Sequence, residues 1–174
     1  DVYKRQEIAR EAGRTVGVMC DLQGPKIRVG KFRDGRVRLE KGERFVLDAG
    51  CELGDATRVG LDYKDLPRDV DPGSVLLLDD GKIVLDVTGV RGEEVETRVR
   101  HGGILSNNKG INRQGGGLTA PALTAKDMED IKVAAKLQCD YLAVSFPKSG
   151  ADMYMARELM RAGGGRAFLI AKIE

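Results

Sequence analysis

The 174-residue sequence has no tryptophan, a single histidine (His101) and only 5% aromatic residues. Single-stranded nucleic acid is usually held on stacked aromatic platforms, and residues 28–118 offer only Phe32, Phe45 and Tyr63, which argues against that ligand. One imidazole, followed by two glycines, is a poor basis for acid–base chemistry. The three cysteines, Cys20, Cys51 and Cys139, are odd in number, far apart and without a CxxC pair. That excludes the usual zinc spacings and a disulfide framework and leads us to expect reduced thiols in a cytoplasmic protein. No apolar run approaches the roughly 20 residues of a membrane span, and the polar opening DVYKRQEIAR lacks a signal-peptide pattern. Charge is also nearly absent in net terms: 29 basic against 27 acidic residues leave +2, which gives nucleic acid or an anionic membrane little to hold.

What is present falls into three zones. EIAREAG reads as the end of a helix stopped by Gly13, followed by the strand TVGVMC. The run Val16–Cys20 is apolar without alternation, as in a parallel strand buried on both faces. Between 28 and 118 the period changes to two: Val37 and Leu39, Phe45 and Leu47, Ile83, Leu85 and Val87, then Val95, Thr97 and Val99. Half-buried antiparallel strands have this pattern. Asp80-Gly81 and Asp34-Gly35 are two-residue hairpin signals, because glycine tolerates the positive φ the turn needs. No useful helical stripe occurs here, and a small all-β barrel or sandwich is expected. From 119 the helical period returns. Thr124 with Asp127 approximates a capping box before AKDMEDIKVAAKLQ. The strand YLAVSF follows, then a helix opened by Ser149 and closed by Gly163-Gly164-Gly165, then AFLIAKIE. Strands alternating with helices imply parallel βα units. The order predicts an α/β fold with an all-β domain inserted after one strand.

The strongest chemical clue is the last strand, where Lys172 and Glu174 follow a wholly apolar run. Two positions apart, they share a face, and reactive groups of parallel α/β folds sit at the carboxyl ends of strands. Lys172 suits an anion and Glu174 a divalent cation; the plain alternative is a surface ion pair. Asp21 also ends an apolar strand, with Lys26 and Arg28 after the Gly24-Pro25 turn, a grouping suited to phosphate and cation binding or simply to a polar loop. The segment is not a P-loop: five residues separate Gly24 from Gly30, and Phe32 follows Lys31. SNNKGINRQGGG, with Lys109, suits either a phosphate-approaching loop or an interdomain hinge. Asp79-Asp80-Gly81 lacks the alternating acids of an EF-hand and reads first as a turn.

Five strings together resemble the pyruvate kinase family: DLQGPKIRVG (21–30), LLLDDGKIVLDV (76–87), LSNNKGINRQGGGLTAPALTAKD (105–127), DYLAVSFPKSGADM (140–153) and AKIE (171–174). Their order and spacing are the family's, and the form LQGPKIR is similar to that of bacterial members. The resemblance covers residues 7–174, leaving DVYKRQ outside it as an expected artefact. It implies a partial (β/α)8 TIM barrel carrying an inserted all-β barrel lid, divided as 1–27 (barrel), 28–118 (lid) and 119–174 (barrel). It implies transfer of the phosphoryl group of phosphoenolpyruvate to ADP, giving pyruvate and ATP, with Mg2+ or Mn2+ as cofactor and a homotetrameric full-length enzyme.

By the same resemblance, Lys172 stabilises the migrating phosphoryl group and the enolate oxygen, and Glu174 is a ligand of the divalent metal. Arg28 and Lys109 contact phosphates, and Asp80 approaches the nucleotide's metal. Asp21 falls at the family's monovalent-cation site. The sequence departs from potassium-dependent members by Leu22 and Lys26, so Lys26 is expected to replace potassium with a fixed ammonium. Strands and a metal-binding aspartate that the family needs are missing, so the chain reads as an internal fragment without activity of its own. The competing reading is a non-catalytic β-domain that binds a nucleotide or a protein partner.

Overall fold

The computed structural model describes residues 2–25 and 27–173. In chain order the elements are α1 (Val2–Glu11), β1 (Met19–Asp21), β2 (Lys31–Phe32), β3 (Arg36–Leu39), β4 (Arg44–Asp48), β5 (Leu53–Gly54), β6 (Arg58–Val59), α2 (Leu66–Asp69), β7 (Val75–Leu78), β8 (Ile83–Arg91), β9 (Glu94–His101), β10 (Gly103–Ser106), β11 (Ile111–Arg113), α3 (Ala125–Lys136), β12 (Tyr141–Ser145), α4 (Gly150–Ala162) and β13 (Phe168–Lys172). They form two compact units, residues 1–25 with 121–174, and residues 26–120.

In the first unit β1, β12 and β13 make a parallel sheet in that order. Cys20 pairs with Leu142 and Leu142 with Leu169, and this row faces a core shared with Ile131, Ala134 and Ala135 of α3 and Ala156 and Met160 of α4. Both helices open as the sequence suggests. Thr124 with Asp127, and Ser149 with Asp152, complete reciprocal capping boxes. The helices close alike too. Gly13, Gln138 and Gly164 take positive φ, and each amide and the next bond back to the last turn: Gly13 to Arg10 and Arg14 to Ala9, Gln138 to Ala135 and Cys139 to Ala134, Gly164 to Arg161 and Gly165 to Met160. This is the Schellman arrangement.

The expected strand over 15–20 begins only at Met19 and is not buried on both faces. Met19, Tyr141, Phe168 and Ile170 are exposed, because they lie on the face of the sheet turned away from α3 and α4.

The second unit is built on a sheet in the order β11-β7-β8-β9-β4-β6, with the pairs β10-β3 and β2-β5 apart from it. Its core gathers the residues that alternation marks as inward, among them Phe45, Leu47, Ile83, Leu85, Val95 and Val99. Two expectations are corrected. Among the described residues none of the sheets closes into a barrel, because the ladder ends at the short strands β11 and β6 and the remaining strands pair separately. Nor is the unit wholly antiparallel, since β4 with β6 and β2 with β5 run parallel. A one-turn helix, α2, also appears, with proline in its first turn. Asp80-Gly81 forms the expected turn, with positive φ at both residues and Lys82 N–H donating to the Asp79 carbonyl at 3.2 Å. Gly35 turns the chain at φ 74°, yet β2 pairs with β5 rather than β3. The SNNKGINRQGGG stretch is not simply a loop, since Ile111–Arg113 pairs with β7.

Candidate active site

The parallel ladder sets Ser145 beside Lys172 at its last step, with Asp21 ending β1 on the same face. Lys172 Nζ donates to both Asp21 carboxylate oxygens at 3.1 Å and to Ser145 Oγ at 3.2 Å. The Lys172 and Asp21 side chains are 37% and 50% exposed. An ion pair this open contributes about 0–1 kcal/mol to stability, so stability does not account for the arrangement. A fixed ammonium with an open side, at the carboxyl ends of parallel strands, is suited to meet an anion.

The surroundings of this ammonium are built with buried polar contacts. Ser145 is 2% exposed and donates to the Leu22 carbonyl at 2.7 Å. Asp127, fully buried, accepts from Gly24 N–H at 3.1 Å through one oxygen and from Thr124 N–H at 2.9 Å through the other. One capping residue thus both starts α3 and pins the turn after β1. Gly24 is needed there, because at φ +65° an added Cβ would lie 2.8 Å from Ser145 Cβ. Sequence reasoning missed Ser145 and Asp127 as parts of the site. The signal for Asp127 was present in its capping position, but its second partner lies 103 residues away.

In the other unit Arg28 bridges Gly110, and Val29 N–H donates to the Lys109 carbonyl at 2.9 Å. Asp79 N–H donates to the Gly110 carbonyl at 3.1 Å. The backbone therefore gathers Arg28, Lys109 and the Asp79-Asp80 turn at one place. Lys109 Nζ pairs with Asp79 at 2.8 Å, so the lysine's partner is Asp79, which the sequence marked only as a turn residue, while Asp80 stays exposed. The hydrogen bond to Lys109 holds the Asp79 carboxyl below its ordinary range, and the same bond raises the Lys109 ammonium.

Two expected site residues, Lys26 and Glu174, lie outside the described residues, and with Glu174 the expectation that it shares a face with Lys172. The described residues contain no cluster of three or more His, Cys, Asp or Glu that could hold a metal, and the Asp21 carboxylate is already engaged by Lys172. The described donor set therefore does not by itself fit a divalent cation. Cys20 and Cys139 are brought together by the fold, and burial pushes the Cys139 thiol up to about 11, helped by the Cys20 thiol. No helix among the described residues is long and apolar enough to cross a membrane.

The family model describing the barrel domain of pyruvate kinase matches residues 2–174. Residues 2–6, read from the sequence as lying outside the resemblance, are thus inside the match. The pyruvate kinase of Haemophilus influenzae is 54% identical over 171 residues, which is 97% of this chain and 36% of that protein. Pyruvate kinase II of Salmonella typhimurium is 55% identical over 98% of this chain and 36% of its own length. The pyruvate kinase of Mycobacterium tuberculosis is 44% identical over 99% of this chain and 37% of its own. The chain thus spans little more than a third of the length of these relatives. On the match over residues 2–174, the chain belongs to the pyruvate kinase family.

Proposed function

We propose that this chain is part of an enzyme that transfers the phosphoryl group of phosphoenolpyruvate to ADP, yielding pyruvate and ATP. The observation that carries the reading is the Lys172 ammonium, held by Asp21 and Ser145 at the ends of three parallel strands. Phosphoryl transfer asks for positioning and charge neutralisation more than covalent chemistry. Lys172, fixed before substrate arrives, neutralises charge growing on the migrating phosphoryl group and the enolate oxygen without reorganising in the transition state.

Arg28 and Lys109 are proposed as phosphate contacts on the β-unit, with Asp80 toward the nucleotide. In this reading the β-unit acts as a lid, and water excluded by its closure strengthens each of these interactions. Mg2+ or Mn2+ is proposed as cofactor with Glu174 as one ligand. Lys26 is proposed to stand in for potassium, so turnover is expected without that ion. The exposed apolar row of Met19, Tyr141, Phe168 and Ile170 suits a partial (β/α)8 barrel whose further strands supply the missing cover. The 174-residue chain alone is expected to be inactive, and the complete enzyme to be a cytoplasmic homotetramer.

Replacing Lys172 with methionine in the full-length enzyme tests the reading. In a lactate dehydrogenase-coupled assay kcat should fall by about 10²–10³, as for other fixed charge-stabilising donors, with ADP binding preserved. Retained turnover would leave the chain as a non-catalytic nucleotide-binding module.

A further inference from the structure

We infer that Ser145 is a positioning residue for Lys172, an inference that rests on the reading of Lys172 as the phosphoryl-facing group. A serine hydroxyl has one proton to donate, and Ser145 spends it on the Leu22 carbonyl at 2.7 Å. Its lone pairs then face Lys172 Nζ at 3.2 Å, so the hydroxyl acts toward the lysine only as an acceptor. The Leu22 carbonyl is itself fixed, since Leu22 N–H donates to Ala143 O at 3.0 Å. The turn that follows is pinned through Gly24 to the buried Asp127 carboxylate.

Lys172 therefore has two unlike acceptors. Asp21 carries the counter-charge but is half exposed, so its side chain keeps freedom to turn. Ser145 carries no charge but is 2% exposed and locked by its own hydrogen bond. The hydroxyl sets the direction of the ammonium, and Asp21 sets its charge balance. Long-range order is built into the arrangement: Ser145 lies 123 residues from Leu22 and 27 from Lys172. A misplacement of about 1 Å in a group that meets the reacting atoms costs up to 10²-fold in rate, which is the scale on which a lost acceptor should be felt.

The test uses the full-length enzyme with Ser145→Ala, Ser145→Cys and Ser145→Thr beside Lys172→Met. Cysteine keeps the approximate volume and loses the oxygen acceptor; threonine keeps the hydroxyl. We expect Ala and Cys to lower kcat about tenfold while the KM for ADP holds within about twofold, corresponding to roughly 1.4 kcal/mol in the transition state. Threonine should restore most of the loss. Lys172, released from its fixed acceptor, should also react faster with an amine-specific acylating reagent in the Ala and Cys variants, read by peptide mass spectrometry. Wild-type kcat in Ser145→Ala together with an inactive Lys172→Met overturns this inference alone. Equal losses in all three serine variants with unchanged Lys172 labelling assign Ser145 to the fold and likewise overturn it. Activity surviving Lys172→Met overturns the reading of Lys172, and this inference with it.

Discussion

The two units solve the same packing problem with different information. In the β-unit, alternating residues decide locally which side is inside, and Phe45, Leu85 and Val95 are each fully buried. In the α/β unit the strands are apolar on both faces, and only one face is covered by α3 and α4. The other leaves Phe168 71% and Met19 55% exposed. A period-two pattern therefore states its own burial, whereas a continuous apolar run does not say which neighbour will cover it.

Truncating one phenylalanine in each unit should separate the two faces most clearly. Phe45→Ala should cost about 3–5 kcal/mol, the range for a fully buried aromatic that leaves a cavity. Phe168→Ala in the same chain should change stability by no more than about 0.5 kcal/mol, as at other exposed positions. Urea unfolding measures both, and similar losses would show that the α/β face is covered after all. Next in size is Asp127→Ala, which strands the Gly24 amide and removes the α3 capping box. It should cost about 1–3 kcal/mol, with Asp127→Asn recovering part, by the same measurement.

The β-unit has its own electrostatic signature in the Lys109–Asp79 pair. The Asp79 carboxyl is lowered by its hydrogen bond to Lys109, so its contribution is present above the ordinary aspartate value of 3.8 and is lost as pH falls through the lower folded value. Lys109 is raised, so its share is complete below the ordinary 10.5 and is lost as pH rises through the higher folded value. Thermal unfolding of Lys109→Met should therefore differ from wild type near neutrality, and the difference should shrink in strong acid. A difference unchanged down to pH 2 would remove the pair as its cause. The smallest effect expected is at the end of α3. Gln138 sits at φ 50°, where glycine is favoured by about 1 kcal/mol. The Gln138 side chain also donates to the Ala135 carbonyl at 2.8 Å, which offsets part of the gain. Gln138→Gly should raise stability by a few tenths of a kcal/mol, visible as a small shift in Tm.

Much of this was legible without coordinates where the deciding interaction is short-range. Thr124 with Asp127 and Ser149 with Asp152 lie three residues apart, so the caps can be read from the chain. The same holds for the Gly13 and Gly164 stops and for the Asp80-Gly81 turn, whose backbone demands are met by the residues themselves. That the sheet stays open instead of closing into the expected β-barrel was not legible, because closure depends on whether edge strands of two or three residues find partners. That is a matter of register between distant segments. Asp79 reads from the sequence as a turn residue alone, because nothing near it announces Lys109, 30 positions on.

The helices α3 and α4 with their ends, the inward residues of the alternating strands and the placing of Lys172 and Asp21 at strand ends were readable in the residues alone, whereas α2 and the pairing of Ile111–Arg113 were not. The readable features follow from periodicity and local backbone chemistry. The sharing of the Lys172 ammonium by Ser145 and Asp21, the hold of Asp127 on the Gly24 turn and the open face of the parallel sheet arise only in the folded chain. Each of those depends on the side-by-side register of strands far apart in the chain, and hydrogen bonds across such a register leave no periodic trace in the residues that make them.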